Sequence, residues 1–146
     1  MLFLIQIGDQ FPLDGGEAIA GEPVTFEPDR KLSLTCLAGH NISLTTKATL
    51  FWSYGALNAQ TTTVIGKLSY PDSSKVLSDL KDNCYQMSVE GSLNLNNCSQ
   101  DDDVRYWCHV FLYEDFVIRS YVDSQLKGTY MWKIIGSLAE ANSGKS

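Results

Sequence analysis

Apolar and polar residues alternate along most of the chain, with a period of two. "KLSLTCL" sets Leu32, Leu34 and Cys36 on one face and Ser33 and Thr35 on the other. "YQMSVEGSLNL" alternates through Tyr85, Met87 and Val89, turns at Glu90-Gly91 and resumes with Leu93 and Leu95, the pattern of a hairpin. "ATLFWSY", "TTTVIGKLSY" and "VRYWCHVFLY" predict three more strands, and "TYMWKII" a last one. Turn-formers ("DGGE", "GHN", "YPDSS", "EGS", "YED") separate these runs. "SSKVLSDLKDN" (73–83) permits either a short helix or a loop with a weak strand. Many short strands at regular spacing, with no internal repeat, predict an all-β sandwich or barrel.

The two ends read differently from the middle. "MLFLIQIG" is the longest apolar stretch, yet it falls short of the about 20 residues a membrane-spanning helix needs. It lacks the basic lead and small-residue cleavage site of a signal peptide. We therefore read residues 1–15 as an N-terminal edge strand or lead-in, with a trimmed signal-peptide remnant as the other reading. Small polar residues from Ala139 onward predict a flexible tail or stalk over 137–146, leaving 16–136 as the domain.

Composition narrows the chemistry. With 146 residues, 44% hydrophobic and 19% charged, the chain suits one ordinary globular domain. A net charge of −6 without any Lys/Arg cluster argues against a nucleic-acid partner and against non-specific binding to anionic membranes. Any membrane association is expected through segments outside this chain. Two histidines (His40, His109) without metal-ligand spacing argue against a metal site. The nucleophile-elbow, phosphate-loop and dinucleotide glycine patterns are all missing, so neither an enzyme nor a cofactor is expected. Asp101-Asp102-Asp103 reads as a solvated turn. The four cysteines, Cys36, Cys84, Cys98 and Cys108, are even in number and contain no CxxC pair. Together with the sequons at Asn41 and Asn97 they favour an extracellular setting, cell-surface or secreted.

The order Cys36, Trp52, Cys108 on three alternating strands has a physical reason. Two sheets about 10 Å apart can be pinned by one disulfide, with an indole packed on the sulfurs. Tyr106 shares the inward face of Cys108, and its hydroxyl is expected to bond the backbone of the corner before that strand. On these residues the chain resembles the immunoglobulin superfamily. "LTC" (34–36), Trp52, "LNL" (93–95), and Asp102 with Tyr106 and Cys108 match the family's B-, C-, E- and F-strand signatures. The long span from Trp52 to Leu93 leaves room for two extra strands, so the resemblance is to the variable type, a Greek-key sandwich of two antiparallel sheets. Val104 stands where the family usually has a small residue, and no Phe-Gly-x-Gly segment follows Cys108. The chain thus looks less like an antibody or T-cell-receptor chain than like innate V-type or adhesion domains.

Cys84 and Cys98 lie symmetrically about Gly91, so a hairpin turning there would bring them within disulfide reach. In the resemblance, Cys84 falls near an arginine that pairs with the acid before strand F, and the second disulfide is expected to replace that clasp. Parity sends Trp107, His109 and Phe111 outward from strand F and Phe51 outward from strand C. These four are expected to form an exposed aromatic patch, a partner surface unless the tail or the long F–G segment folds over it. If "TYMWKII" is strand G, then Tyr113, Glu114, Asp115, Phe116, Arg119 and Tyr121 lie near the tip of a long F–G loop suited to recognition. Alternatively "FVIRSYV" is itself the strand. The resulting expectation is a recognition module that binds a protein or a second copy of itself through this face, as an immune-type receptor or adhesion molecule. An accessory ectodomain of a receptor or channel subunit, and a domain with a glycan ligand, are the other readings.

Overall fold

A computed structural model describes residues 6–13, 15–27, 30–39, 47–70, 76–78, 84–96, 98, 100, 102–112 and 116–126. In chain order the strands are β1 (Gln10–Pro12), β2 (Ile19–Ala20), β3 (Val24–Phe26), β4 (Leu32–Leu34), β5 (Ala48–Gly55), β6 (Thr61–Tyr70), β7 (Val76–Ser78), β8 (Tyr85–Met87), β9 (Leu93–Leu95), β10 (Val104–Leu112) and β11 (Phe116–Leu126). A 3-10 turn, Leu37–Gly39, follows β4. The front sheet runs β1-β6-β5-β10-β11-β2, with β7 also on β6 and β3 also on β11; the back sheet is β4-β9-β8. β2 and β3 run parallel to β11, so one seam departs from the antiparallel pattern. β1 joins the front sheet through β6.

The inward face of each strand builds one core. Leu34, Trp52, Leu68, Leu93, Leu95, Tyr106, Cys108 and Val110 are among its buried members. Cys108 and Trp52 are direct partners across β10 and β5, and Cys36 reaches over from the back sheet to bond Cys108, with Cα atoms 5.6 Å apart. The Trp52 indole N–H donates to the Gly91 carbonyl at 2.8 Å, so the β8–β9 turn is tied to the middle of the front sheet. Gly91 has φ 92°, and a Cβ there would lie 2.9 Å from Leu50 Cδ1. Both features demand glycine.

Cys84 and Cys98 are bonded, with Cα atoms 5.0 Å apart. They do not face each other squarely. Tyr85 pairs with Leu95, and the Asn96 N–H donates to the Cys84 carbonyl at 2.9 Å, so the bridge closes the hairpin diagonally. Tyr106 is 1% exposed. Its hydroxyl donates to Gln100 Oε1 at 3.5 Å, in the connection before β10, and burial with Tyr85 alongside pushes the phenol well above its usual range. Gln100 also donates to the Ser124 carbonyl at 2.9 Å, which fastens the connection before β10 to β11. Asp102 is exposed, while Asp103 accepts from the Leu126 N–H at 3.0 Å.

Candidate functional site: the outer face of the front sheet

Strand G starts earlier than a long F–G loop would allow. β11 starts at Phe116 and pairs with β10 from Leu112↔Phe116 to Val104↔Ser124, so "FVIRSYV" is strand G. The physical reason is closure. An alternating run of eleven residues begins four positions after the end of the nine-residue β10, and pairing the two closes the smallest loop. Arg119 and Tyr121 therefore sit mid-strand and not at a loop tip. Phe116 opens β11. Tyr113, Glu114, Asp115 and "TYMWKII" lie outside the described residues, as do Asn41 and Asn97.

The alternation of β10 and β11 then sets out one face. Arg105, Trp107, His109 and Phe111 point outward from β10, opposite Asp123, Tyr121, Arg119 and Val117 of β11. Phe51 of β5 lies beside His109. One end of this face is closed. Phe51 and His109 are 0% exposed and Phe111 9%. The exposed patch expected of Phe51, His109 and Phe111 is thus overturned: these residues do face away from the core, but another element covers them.

That cover is Phe11 of β1. Its ring lies 4.9 Å from Phe51, 4.8 Å from His109 and 6.1 Å from Phe111. Phe51, Val64 and Phe111, with Phe11 and Val117 packed on them, make a second apolar cluster outside the sandwich. The neighbouring polar pair is internal too, since the Thr62 hydroxyl donates to Ser53 Oγ at 2.8 Å.

The other end stays partly open. Trp107 is half-buried, its ring 5.1 Å from Tyr121 and stacked 5.9 Å from His109. Arg105 lies 4.1 Å over the Tyr121 ring and forks onto Asp123 with bonds of 2.6 and 3.1 Å. The Asp123 hydrogen bond raises the guanidinium's pKa further, so Arg105 is a permanent cation. Beside these residues opens a groove of about 320 Å³. Leu13, Gly16, Leu57 of the β5–β6 turn, Arg105, Trp107 and Arg119 line it. Leu57 is an exposed large apolar residue on that rim.

Sequence reasoning missed Arg105, Asp123, Phe11 and the β5–β6 turn. Parity with Trp107 and Tyr121 carried a signal for Arg105 and Asp123. Nothing local in "DQFPL" shows that Phe11 crosses the sheet. Among the described residues, no group of three or more His, Cys, Asp and Glu could hold a metal, and no helix is long and apolar enough to cross a membrane.

No protein-family model matches the chain, and no curated protein matches it. Solved structures do. A VGSC β subunit, in a structure of multimeric cell-adhesive interactions, is 19% identical over 78% of this chain and 95% of that one, with a TM-score of 0.52. The extracellular fragment of novel immune-type receptor 10 from Ictalurus punctatus is 16% identical over 75% and 96%, TM-score 0.50. The first Ig-like domain of human CD48 antigen is 15% identical over 82% and 89%, TM-score 0.50. At these identities the likeness is one of fold: the chain is an immunoglobulin-like sandwich of variable type.

Proposed function

We propose that the chain is an extracellular recognition module that binds a protein partner through the open end of its front sheet. The observation that carries this reading is the half-buried cluster of Trp107, Tyr121 and Arg105 beside the Leu57-rimmed groove, on a face whose other end is sealed. Trp, Tyr and Arg are the side chains that most often dominate protein interfaces. Two disulfides suit an oxidising, extracellular compartment, and the adhesive and receptor context of proteins sharing the fold supports the same class. A glycan reading has its own support, because Trp107 lines a groove large enough for a small ligand.

The test immobilises the chain and measures its capture of intact cells treated with protease or with glycosidase. Protease-sensitive capture that falls about thirty-fold in Trp107→Ala, at unchanged thermal stability, supports the protein-partner reading. Capture lost on glycosidase treatment alone moves the assignment to a glycan. Capture indifferent to Trp107→Ala and Tyr121→Ala overturns this face as the site.

A further inference from the structure

β1 is held in the manner of a bound peptide. The Gly8 N–H donates to the Val64 carbonyl at 2.8 Å, the Val64 N–H to the Asp9 carbonyl at 2.9 Å, and the Leu13 N–H to the Gln60 carbonyl at 2.8 Å. Gln10, Phe11 and Pro12 face Thr63, Thr62 and Thr61. Phe11 supplies one aromatic anchor, seated among Phe51, His109 and Phe111. A backbone ladder on a sheet edge plus an anchoring side chain is the chemistry of strand addition. The seat is bounded, because β7 takes the same edge of β6 further along, at Gly66–Leu68 in the pairing. Exposed Gly15 and Gly16 follow the strand, and Gly15 has φ 75° with nothing within 4 Å of its Cβ position.

We propose that this seat is an exchange site: β1 of a second copy of this chain docks on β6 in place of the chain's own, and the reverse exchange closes a two-fold dimer. A second copy supplies the matching occupant, since its residues 8–13 present the same ladder and the same phenylalanine. Contacts in the seat are therefore identical within one chain and between two, and the hinge alone decides between them. The tether after β1 turns through Gly15 at φ 75°, a backbone that favours glycine, and a tether without that turn runs extended at about 3.3–3.6 Å per residue. The exchange needs no contact from Tyr121, although the tether that moves, Leu13 to Gly16, also lines the groove beside Trp107.

The experiment uses two full-length variants, Gln10→Cys and Thr63→Cys, whose positions are facing partners across the seat. The chains carry different mass tags and are mixed under mild oxidation. A disulfide-linked heterodimer of the two is expected, and its ratio to monomer should rise about tenfold for a tenfold rise in concentration. Phe11→Ala on the Gln10→Cys chain should remove most of that product, while Val89→Ser, an exposed residue in the β8–β9 turn, should leave it unchanged. The double variant Gln10→Cys/Thr63→Cys reports on seating within one chain. If it cross-links internally and the mixed singles give no heterodimer at any concentration, the exchange is overturned. Deleting Gly15 and Gly16 provides a second readout. The shortened hinge should shift the chain from monomer to dimer in sedimentation, and a deletion variant that stays monomeric with residues 9–12 still protected from hydrogen exchange also overturns it.

Discussion

Two residues concentrate constraints that their side chains alone do not reveal. Gly91 combines a left-handed backbone with a Cβ position pressed against Leu50, and its carbonyl receives the Trp52 indole. Gly91→Ala should therefore cost about 1–3 kcal/mol, read as a lower urea midpoint at constant slope. An unchanged midpoint would mean that the turn relaxes freely. Tyr106 is the second. Its folded phenol is held above the usual value of 10 chiefly by burial, so the native state keeps its proton where the unfolded chain has lost it. The resulting stability is fully present below pH 10 and drains away as the pH rises beyond it. Tyr106→Phe should flatten this alkaline decline in denaturation curves taken across that range. A decline equally steep in the variant would place its origin elsewhere, with Tyr70, also raised by burial, as the next group to test.

Among the elements, the back-sheet hairpin and the front-sheet hairpin are secured by different means. β8 and β9 are strands of three residues each, too short to hold their register unaided, and the Cys84–Cys98 bridge spans 14 positions across them. Cross-linking a loop of that size is worth about 3 kcal/mol in the chain-entropy model, against about 4 kcal/mol for the longer loop closed by Cys36–Cys108. Cys84→Ala/Cys98→Ala should keep the fold, lose roughly 2–3 kcal/mol and speed hydrogen exchange at Tyr85–Met87 far more than in β10. Uniformly faster exchange would show that the bridge supports the whole sandwich rather than one hairpin. β10 and β11 need no such bridge, being long and register-matched, with Arg105 and Asp123 clasped across them. The sequence made the core strands legible because each buries one face, and a period of two then names that face residue by residue. It left strand G ambiguous because "FVIRSYV" and "TYMWKII" share the same strand chemistry. Hairpin closure with β10 decided for the first, and no window of local sequence contains that term.

At the scale of the whole molecule, the domain has two apolar layers with different security. The inner layer lies between the sheets and is pinned by Cys36–Cys108. Among the described residues, the outer layer over Phe51, Val64 and Phe111 is covered by the half-buried Phe11 ring of β1, with Val117 beside it. Parity identified the outward residues correctly as a set, yet parity fixes a face and says nothing of what covers it. That information lies in Phe11, some forty positions from Phe51 (51 − 11), and became visible only through the pairing of β1 with β6. The physical consequence is that the outer layer should open without the inner one. β1 contributes few backbone bonds and a single anchor, so its opening free energy lies far below that of global unfolding. Phe11→Ala should therefore accelerate hydrogen exchange at the amides of Val64 and Leu13, whose acceptors are Asp9 and Gln60. The amides of Cys108 and Val110, at the middle of β10, should keep their protection, and a dye that binds exposed apolar surface should brighten as Phe51 and Phe111 become accessible. Exchange that accelerates equally at Val64 and Cys108 would show the two layers to be one cooperative unit, and β1 a permanent part of the sandwich rather than its removable roof.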